Sequence, residues 1–509
     1  MKLMSREYQE RIAESAVRNG NTLVVLPTGM GKTLIGALVM ERFLKEKKRC
    51  LFLAPTRPLV AQHGKRLNEY FYESYSVIPV TGQTRKDDRK ALYGKSDVVI
   101  STPQTIKNDI ESTATEDNPG GILSNFSCIV VDECHRAVGQ YAYTYVANSA
   151  KEQEKRNGKI LLLGLTASPG GSSSRIKEIT DALFINNVEI RTETDADVSK
   201  YVQKINVQWK EVELPQEMSD AVALLNELMD EKSRTLGELN ITISRKTPRG
   251  RLSQIYRSLI DNGYMAALGH FAMFYNAFHG VELIESESPL AYAKFVERLK
   301  ERKKRVDWRF AQAANKLTNV EHPKMRLLAD LIKERKGKRI IVFAQYRDQV
   351  NHIVAKLNES GFRAKPFLGK GKGGAAAVKE QKETIGEFAD GGIDILVASS
   401  IGEEGIDIPS ADTAIFYEPV PSEIRTIQRR GRVGRAKEGE VLILVAKGTR
   451  DEVFKHVSLA KEKKMKSIIR SLDKGKKGAA RPKENEAPAE DPQPHETEQS
   501  LLSEFIGKQ

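Results

Sequence analysis

The chain has 509 residues, 40% of them hydrophobic and 29% charged, and a formal net charge of +13. That length supports two or three ordinary cores, and the charge suits a polyanionic partner without separating nucleic acid from an anionic membrane surface. No apolar run approaches the ~18 residues of a bilayer span, and the charged start Met1-Lys-Leu-Met-Ser-Arg-Glu7 lacks a signal-peptide core. Three cysteines without C-x-x-C spacing (Cys50, Cys128, Cys134) read as buried apolar residues of a reducing, cytosolic compartment.

Over residues 1–205 the runs Leu23–Leu26, Cys50–Ala54, Asp97–Ile100, Cys128–Val131 and Ile160–Gly164 are almost continuously apolar. Such runs fit strands buried on both faces of a parallel sheet. The helical stretches between them predict a doubly wound α/β domain. Residues 206–320 turn helical, over Met218–Leu236 and Leu252–Phe278, and then strongly basic: Lys294, Arg298, Lys300, Arg302, Lys303, Lys304, Arg305 and Arg309. This predicts an inserted all-helical domain. Within its first residues, Val207–Pro215 alternates like an edge strand suited to the second α/β domain. The parallel-sheet pattern returns over 321–446, in Arg339–Phe343, Ile393–Ala398, Thr413–Tyr417 and Val441–Val445. A helix is expected over 447–472. Residues 473–498 hold no large apolar side chain, so a disordered linker is expected before a small apolar cluster at 499–506. The fold class is therefore α/β, with two doubly wound parallel sheets, a helical insertion and a disordered C-terminal tail.

Three segments carry chemistry. Pro27-Thr28-Gly29-Met30-Gly31-Lys32-Thr33 lies between an apolar strand and an apolar helix. Gly29 and Gly31 let backbone N–H groups approach phosphate oxygens, and the helix N-terminus adds partial positive charge. Lys32 is suited to the β/γ phosphates and Thr33 to Mg²⁺. Leu26 stands where the first glycine of G-x-x-x-x-G-K-T would be. The second segment is Asp132-Glu133-Cys134-His135, after an apolar strand: Asp132 is placed for Mg²⁺ and Glu133 for polarising the attacking water. Cys134 reads as packing, and His135 as a coupling residue or a plain structural hydrogen bond. The third is Gln428-Arg-Arg-Gly-Arg-Val-Gly-Arg435, in which Gln428, Arg432 and Arg435 share one helical face. Gly431 and Gly434 weaken that helix, which a merely solvated face gains nothing from. Arg432 and Arg435 are expected as arginine fingers that reach the phosphates when two domains close. Together the three segments imply a two-domain, ATP-hydrolysing motor.

With these pieces in place the chain resembles a superfamily 2 helicase, and in detail the archaeal Hef and Fanconi anaemia M-protein family, over residues 1–470. The strings Asp132-Glu-Cys-His-Arg-Ala-Val-Gly-Gln-Tyr-Ala-Tyr143, Ser400-Ile-Gly-Glu-Glu-Gly-Ile-Asp-Ile-Pro409 and Phe416 to Arg435 carry the resemblance. It implies RecA-like domains working with ATP and Mg²⁺, and adenine recognition by Arg6 and Gln9. It implies strand contacts by Thr56, Arg57, Thr102, Gln104, Gln345 and Gly405, a nucleotide contact by Asp407, and coupling through His135, Thr166 and Ser168. Contacts of this kind hold the backbone and carry no sequence information, so sequence-independent binding is expected. The resemblance also implies that the helical insertion grips duplex near a branch point. The basic run, with Lys300, Lys303 and Lys304, suits that role; the alternative is a solvated helix face paired with Glu297 and Glu301.

Many such relatives continue into an XPF-type nuclease, before which this chain stops, leaving room for a separate nuclease partner. Glu301–Asp307 matches the letters of that nuclease's signature, but inside a charged helical pattern, and is rejected. The glycine-rich Phe367–Ala377 is expected to be a mobile loop. Gln499, Leu502, Phe505 and Ile506 resemble the peptide that docks on the sliding clamp PCNA, with Ile506 in place of the second aromatic. The function expected is an ATP-dependent DNA helicase or translocase that unwinds or remodels branched DNA, stalled forks and junctions, in repair and replication restart. It would be monomeric for want of a heptad seam, with no membrane partner, cytoplasmic and nucleoid-associated. The alternatives are a double-stranded RNA translocase and a clamp-tethered scaffold with an inactive motor.

Overall fold

Strands that lack a polar face must be covered on both sides, and the first half of the chain meets that demand. Its elements run α1 (Glu7–Asn19), β1 (Thr22–Val25), α2 (Lys32–Lys45), β2 (Cys50–Leu53), α3 (Arg57–Phe71), β3 (Val77–Val80), α4 (Lys86–Lys95) and β4 (Val98–Ser101). They continue with α5 (Pro103–Glu111), β5 (Cys128–Asp132), α6 (Ala142–Asn157), β6 (Leu161–Thr166), α7 (Ser173–Ala182) and β7 (Asn187–Ile190). The seven strands found among the described residues are all parallel, in the order β3-β4-β2-β5-β6-β1-β7. One core packs α1 and α2 against Phe52, Val130 and Leu163; the other packs Ile106, Val146 and Ile179 against Ile129 and Leu162. Because every strand points the same way, the loops after β1, β5 and β6 open on one edge of the sheet. The structure is a computed structural model that describes residues 5–72, 74–116, 118–170, 172–202, 205–302, 306–368, 374–399, 411–420 and 439–475.

The chain next forms β8 (Ile205–Val212) and leaves for the helical insertion: α8 (Gln216–Glu238), α9 (Arg249–Asp261), α10 (Met265–Glu282), α11 (Pro289–Arg302) and α12 (Trp308–Lys316). Leu225, Leu228, Phe271, Phe274, Phe278 and Tyr292 form its core. It returns through α13 (Pro323–Lys333), β9 (Ile340–Ala344), α14 (Arg347–Glu359), β10 (Ala364–Phe367), α15 (Gly374–Ala389), β11 (Ile395–Ser399), β12 (Thr413–Phe416), β13 (Gly439–Ala446) and a last helix, α16 (Arg450–Gly475). The second sheet is also parallel, ordered β10-β11-β9-β12-β13-β8 among the described residues. The alternating segment before the insertion is thus its edge strand, paired with β13 from Ile205↔Gly439 to Val212↔Ala446. The insertion interrupts the second α/β domain after that strand.

A buried polar joint ties the insertion to this domain. Lys324 and Asp451 form an ion pair with both side chains out of solvent. Ser286 donates its hydroxyl to Asp451 at 2.9 Å, and Lys324 Nζ donates to Ser286 O at 3.2 Å. Arg450 donates to Glu282 at 2.8 Å, and its backbone N–H to the Glu285 carboxylate at 3.2 Å. His322 Nδ1 accepts from the Lys324 N–H, so Nε2 carries the proton and donates to Glu285 O at 2.9 Å. Burial, with the charge of Lys324, pushes His322 down to about 3 and keeps it neutral in this role. Removing one member of a buried pair such as Lys324–Asp451 typically costs ~3–5 kcal/mol.

From this joint α16 crosses to the first domain, where Met465 is buried in a core with Cys134, Ile179 and Leu183. Fourteen residues at about 1.5 Å each carry it roughly 21 Å from Asp451. The terminal segment beyond 475, including the clamp-peptide residues Gln499, Leu502, Phe505 and Ile506, lies outside the described residues, as does 369–373 of the glycine-rich loop.

Burial pushes the Glu285 carboxyl up to about 7 against the N–H and charge of Arg450, which act to lower it. A raised folded pKa supplies stability that is fully present below the ordinary carboxylate value and lost as pH rises through about 7. Glu285→Gln keeps an oxygen for the Arg450 N–H. It should gain on the wild type by roughly 1–3 kcal/mol between about pH 5 and pH 8, read as a difference in thermal unfolding. Parallel stability curves would contradict this.

Candidate nucleotide site and nucleic-acid cleft

The loop after β1 takes its shape from two glycines in the left-handed region, Gly29 at φ +79° and Gly31 at φ +76°. Gly31 caps α2, so the first N–H groups of that helix face the loop. A Cβ on Gly31 would sit 2.4 Å from Gln9 Nε2, whereas one on Gly29 would meet nothing within 4 Å. Gln9 is buried on α1, donating to Met30 O at 3.1 Å and accepting from the Arg6 N–H at 2.8 Å. Tyr8 donates to the same Met30 carbonyl at 2.7 Å. The two residues expected to recognise adenine are therefore next to the phosphate loop: Gln9 braces it, and Arg6 lies 4.2 Å over the Tyr201 ring. Tyr201 gave no sign of this role in the sequence.

Lys32 donates to its own loop carbonyls, Leu26 O at 3.2 Å and Pro27 O at 3.4 Å. Burial pushes its amine down, and Glu133 and Asp132 offset this only in part. Asp132 ends β5, buried, with Oδ2 2.9 Å from His63 Nε2 on α3; the His63 ring lies 4.6 Å from Phe52. The Asp132 carbonyl accepts from the Tyr143 hydroxyl at 2.8 Å. His63 and Tyr143 are further unforeseen members of the site.

Glu133 sits at φ +48°, ψ +47°, a left-handed conformation that costs a non-glycine residue about 1–2 kcal/mol. Burial works to raise its carboxyl, but the hydrogen bond and charge of His135 and the charges of Lys32 and Arg136 outweigh it and bring it down to about 2. It is thus an ionised acceptor at working pH. His135 Nδ1 lies 3.3 Å from Glu133 Oε2 and 3.2 Å from Thr166 Oγ1. Thr166 Oγ1 donates to Ser168 O at 3.0 Å, and Ser168 Oγ donates to Met465 Sδ at 2.9 Å. A continuous line of contacts therefore runs from the Glu133 carboxylate to α16. Cys134 packs behind it: burial pushes its thiol well up, and its Sγ would lie 3.1 Å from a Cβ on Gly164.

The Thr33 hydroxyl and the Asp132 carboxylate are a sparse set of hard oxygen donors. That set fits Mg²⁺, whose remaining positions are filled by phosphate and water; the Gly31 cradle, which a side chain would fill, fits the phosphates themselves.

Beside this site lies a cleft of about 450 Å³ lined by Thr56, Arg57, Thr102, Gln104 and Tyr141, among others. It brings together four residues expected to contact a strand. Thr56 and Thr102 are the N-caps of α3 and α5, so two helix N-termini open into one cleft, a setting that favours anions. The Thr56 hydroxyl is buried with no partner among the described residues. Thr102 Oγ1 instead meets Thr105 Oγ1 at 2.8 Å, and Gln104 donates to Asn108 at 2.9 Å. Gln345 is exposed just after β9, and Lys300 is exposed on α11. Arg309 leaves the basic run: it is buried between Asp307 at 2.9 Å and Glu231 at 2.6 Å. Arg298 pairs with Asp348 at 3.2 Å. Lys303, Lys304, Gly405, Asp407, Gln428, Arg432 and Arg435 lie outside the described residues.

A DEAD/DEAH box helicase family matches residues 6–175, and a helicase conserved C-terminal domain matches residues 323–437. The chain is 37% identical over 490 residues to a putative ATP-dependent RNA helicase of Methanocaldococcus jannaschii, covering 92% of this chain and 61% of that protein. It is 31% identical over 513 residues to an ATP-dependent DNA helicase of Sclerotinia sclerotiorum, covering 88% of this chain and 40% of the relative. The chain thus spans less than two thirds of either relative. The crystal structure of the Pyrococcus furiosus Hef helicase domain matches with a TM-score of 0.66 at 36% identity, over 89% of this chain and 98% of that one.

The two loop glycines separate backbone strain from crowding. Gly29→Ala should cost only the ~1–2 kcal/mol of a left-handed alanine. Gly31→Ala must also push Gln9 off Met30, so its loss in thermal unfolding should be larger. Equal losses would remove Gln9 from its bracing role.

Proposed function

The chain belongs to the Hef and Fanconi anaemia M-protein family of superfamily 2 helicases, and on that premise we propose that it hydrolyses ATP to move along DNA and remodel branched DNA, forks and junctions among them. The observation that carries the reading is the line Glu133–His135–Thr166–Ser168–Met465. It gives an ionised base a physical connection to a helix rooted in the other domain, which a plain ATPase would not need.

In this mechanism Lys32 exchanges the Leu26 and Pro27 carbonyls for the β/γ phosphates. Thr33 and Asp132 would hold Mg²⁺, whose positive charge would neutralise the phosphates. Glu133 orients the attacking water and accepts its proton. Arg432 and Arg435, with Gln428, reach the same phosphates from the second domain, and arginine fingers contribute ~10³-fold or more in rate. Asp407 adds a nucleotide contact. Thr56, Arg57, Thr102 and Gln104 hold one strand by its backbone, Gln345 and Gly405 add further contacts to it, and Lys300, Lys303 and Lys304 steady the duplex arm. Residues 1–202, the helical insertion over 213–320, and 321–446 together with β8 are the working units of this scheme, joined by the helix over 447–472. Gln499, Leu502, Phe505 and Ile506 would tether the motor to a sliding clamp through the linker 473–498. Loss of clamp binding in Phe505→Ala, read by titration, is the expected result; retention would remove the tether.

The putative RNA helicase of M. jannaschii among the relatives favours a second reading, movement on double-stranded RNA. ATP turnover measured with forked DNA, linear duplex, single-stranded DNA and forked RNA separates the two. Greatest stimulation by forked DNA is expected. Equal or greater stimulation by RNA would transfer the site to an RNA motor, and turnover no higher than that of Lys32→Ala would make the chain an inactive scaffold.

A further inference from the structure

Tyr141 lies at a junction that none of the roles above uses. It is the residue just before α6, its N–H bonded to Val138 O at 3.3 Å and its carbonyl accepting from Thr144 and Tyr145 at 3.0 and 3.3 Å. Its backbone is therefore held in place. Its ring is not covered: Tyr141 is 40% exposed, while Ala142 and Tyr143 beside it are 5% and 1%. The exposed ring forms part of the wall of the cleft that also presents Thr56, Arg57, Thr102 and Gln104.

The inner side of that ring meets Tyr143, with centroids 5.8 Å apart and planes at 45°. Tyr143 in turn donates its hydroxyl to the backbone carbonyl of Asp132 at 2.8 Å. One aromatic ring thus faces the cleft, and a second, directly behind it, supports the strand end that bears the Mg²⁺ carboxylate and, one residue on, the base.

We propose that Tyr141 stacks on a base of the strand lying in the cleft, and that Tyr143 behind it is a positioning residue that passes occupancy of the cleft to Asp132. The proposal rests on the reading of the cleft as the path of a nucleic-acid strand. The other groups there, hydroxyls, an amide, a guanidinium and helix N-termini, suit phosphate and sugar. Of these only a guanidinium plane has a face on which a base can stack. An aromatic face does so without preference, because every base has a π-face. The ring therefore adds grip to a motor that must move over any sequence. The hydroxyl–carbonyl bond behind it lets a change at the ring bear on a backbone atom of the catalytic strand.

The test uses the whole chain, with single-stranded DNA carrying 2-aminopurine in place of adenine and the same DNA unlabelled. Stacking quenches 2-aminopurine, and turnover against DNA concentration separates binding from the catalytic response. Tyr141→Ala should raise the half-saturating DNA concentration roughly 5- to 150-fold, the range of base–aromatic stacking, and abolish the quench. Tyr141→Trp should restore both. Tyr143→Phe, which keeps the ring and loses only the hydroxyl, should leave the half-saturating concentration near wild type and lower the DNA-saturated turnover. Wild-type DNA response and quench in Tyr141→Ala would overturn the stacking, and undiminished DNA-saturated turnover in Tyr143→Phe would overturn the relay. A wild-type chain that answers neither DNA nor RNA would instead overturn the reading of the cleft itself.

Discussion

The site depends on how three parallel strands are aligned. In the first sheet Val25 is paired with Thr166, and Asp132 with Leu165, so β1, β6 and β5 end level to within a residue. Strands apolar on both faces hold that register firmly, since a slip of one residue would bury polar loop residues and expose hydrophobic ones. The phosphate loop, the paired carboxylates and Thr166 are brought together by this alignment. Side-chain chemistry then works at distances the sheet has already set.

Two glutamates withdrawn from bulk water to different degrees show what decides the state of a carboxylate. Glu285 has few positive neighbours, and burial carries it up to about 7. Glu133 is half-buried, and there His135, Lys32 and Arg136 converge on it and bring it down to about 2. Desolvation alone favours the neutral acid; specific hydrogen bonds and nearby charges reverse it. The same rule separates a joint from a reacting centre. In the joint, hydrogen-bonded polar groups join three elements and Glu285 is pushed toward its neutral form. In the loop after β5, a strained backbone at Glu133 aims a charged oxygen.

Much of this was legible in the sequence. Central strands such as Cys50–Leu53 and Cys128–Asp132 announced themselves by unbroken apolar runs. β3 and β10 did not: each is an edge strand with a proline, Pro79 and Pro366, which fits an edge because it donates no ladder bond. β7 was hidden by the charge of Glu189. Lys32, Asp132 and Glu133 were readable because chemistry fixes their local spacing. His63, Tyr143, Tyr201 and Met465 were not, because what they touch lies across the fold: His63 meets a residue 69 positions away, and Met465 one 297 away. Arg309 shows the reverse error, for counting charge along a helix does not see that Glu231, 78 residues earlier, neutralises it.

The chain passes between the two sheets twice. It crosses once ahead of β8 and returns along α16, whose Met465 is embedded in the first domain. Two bodies fastened at two separate places behave like a door on two pins. The large motion that strains neither fastening is rotation about the line through both, while sliding or full separation would pull Met465 out of its apolar seat. In the reading proposed above, domain closure would therefore run along one mechanical coordinate.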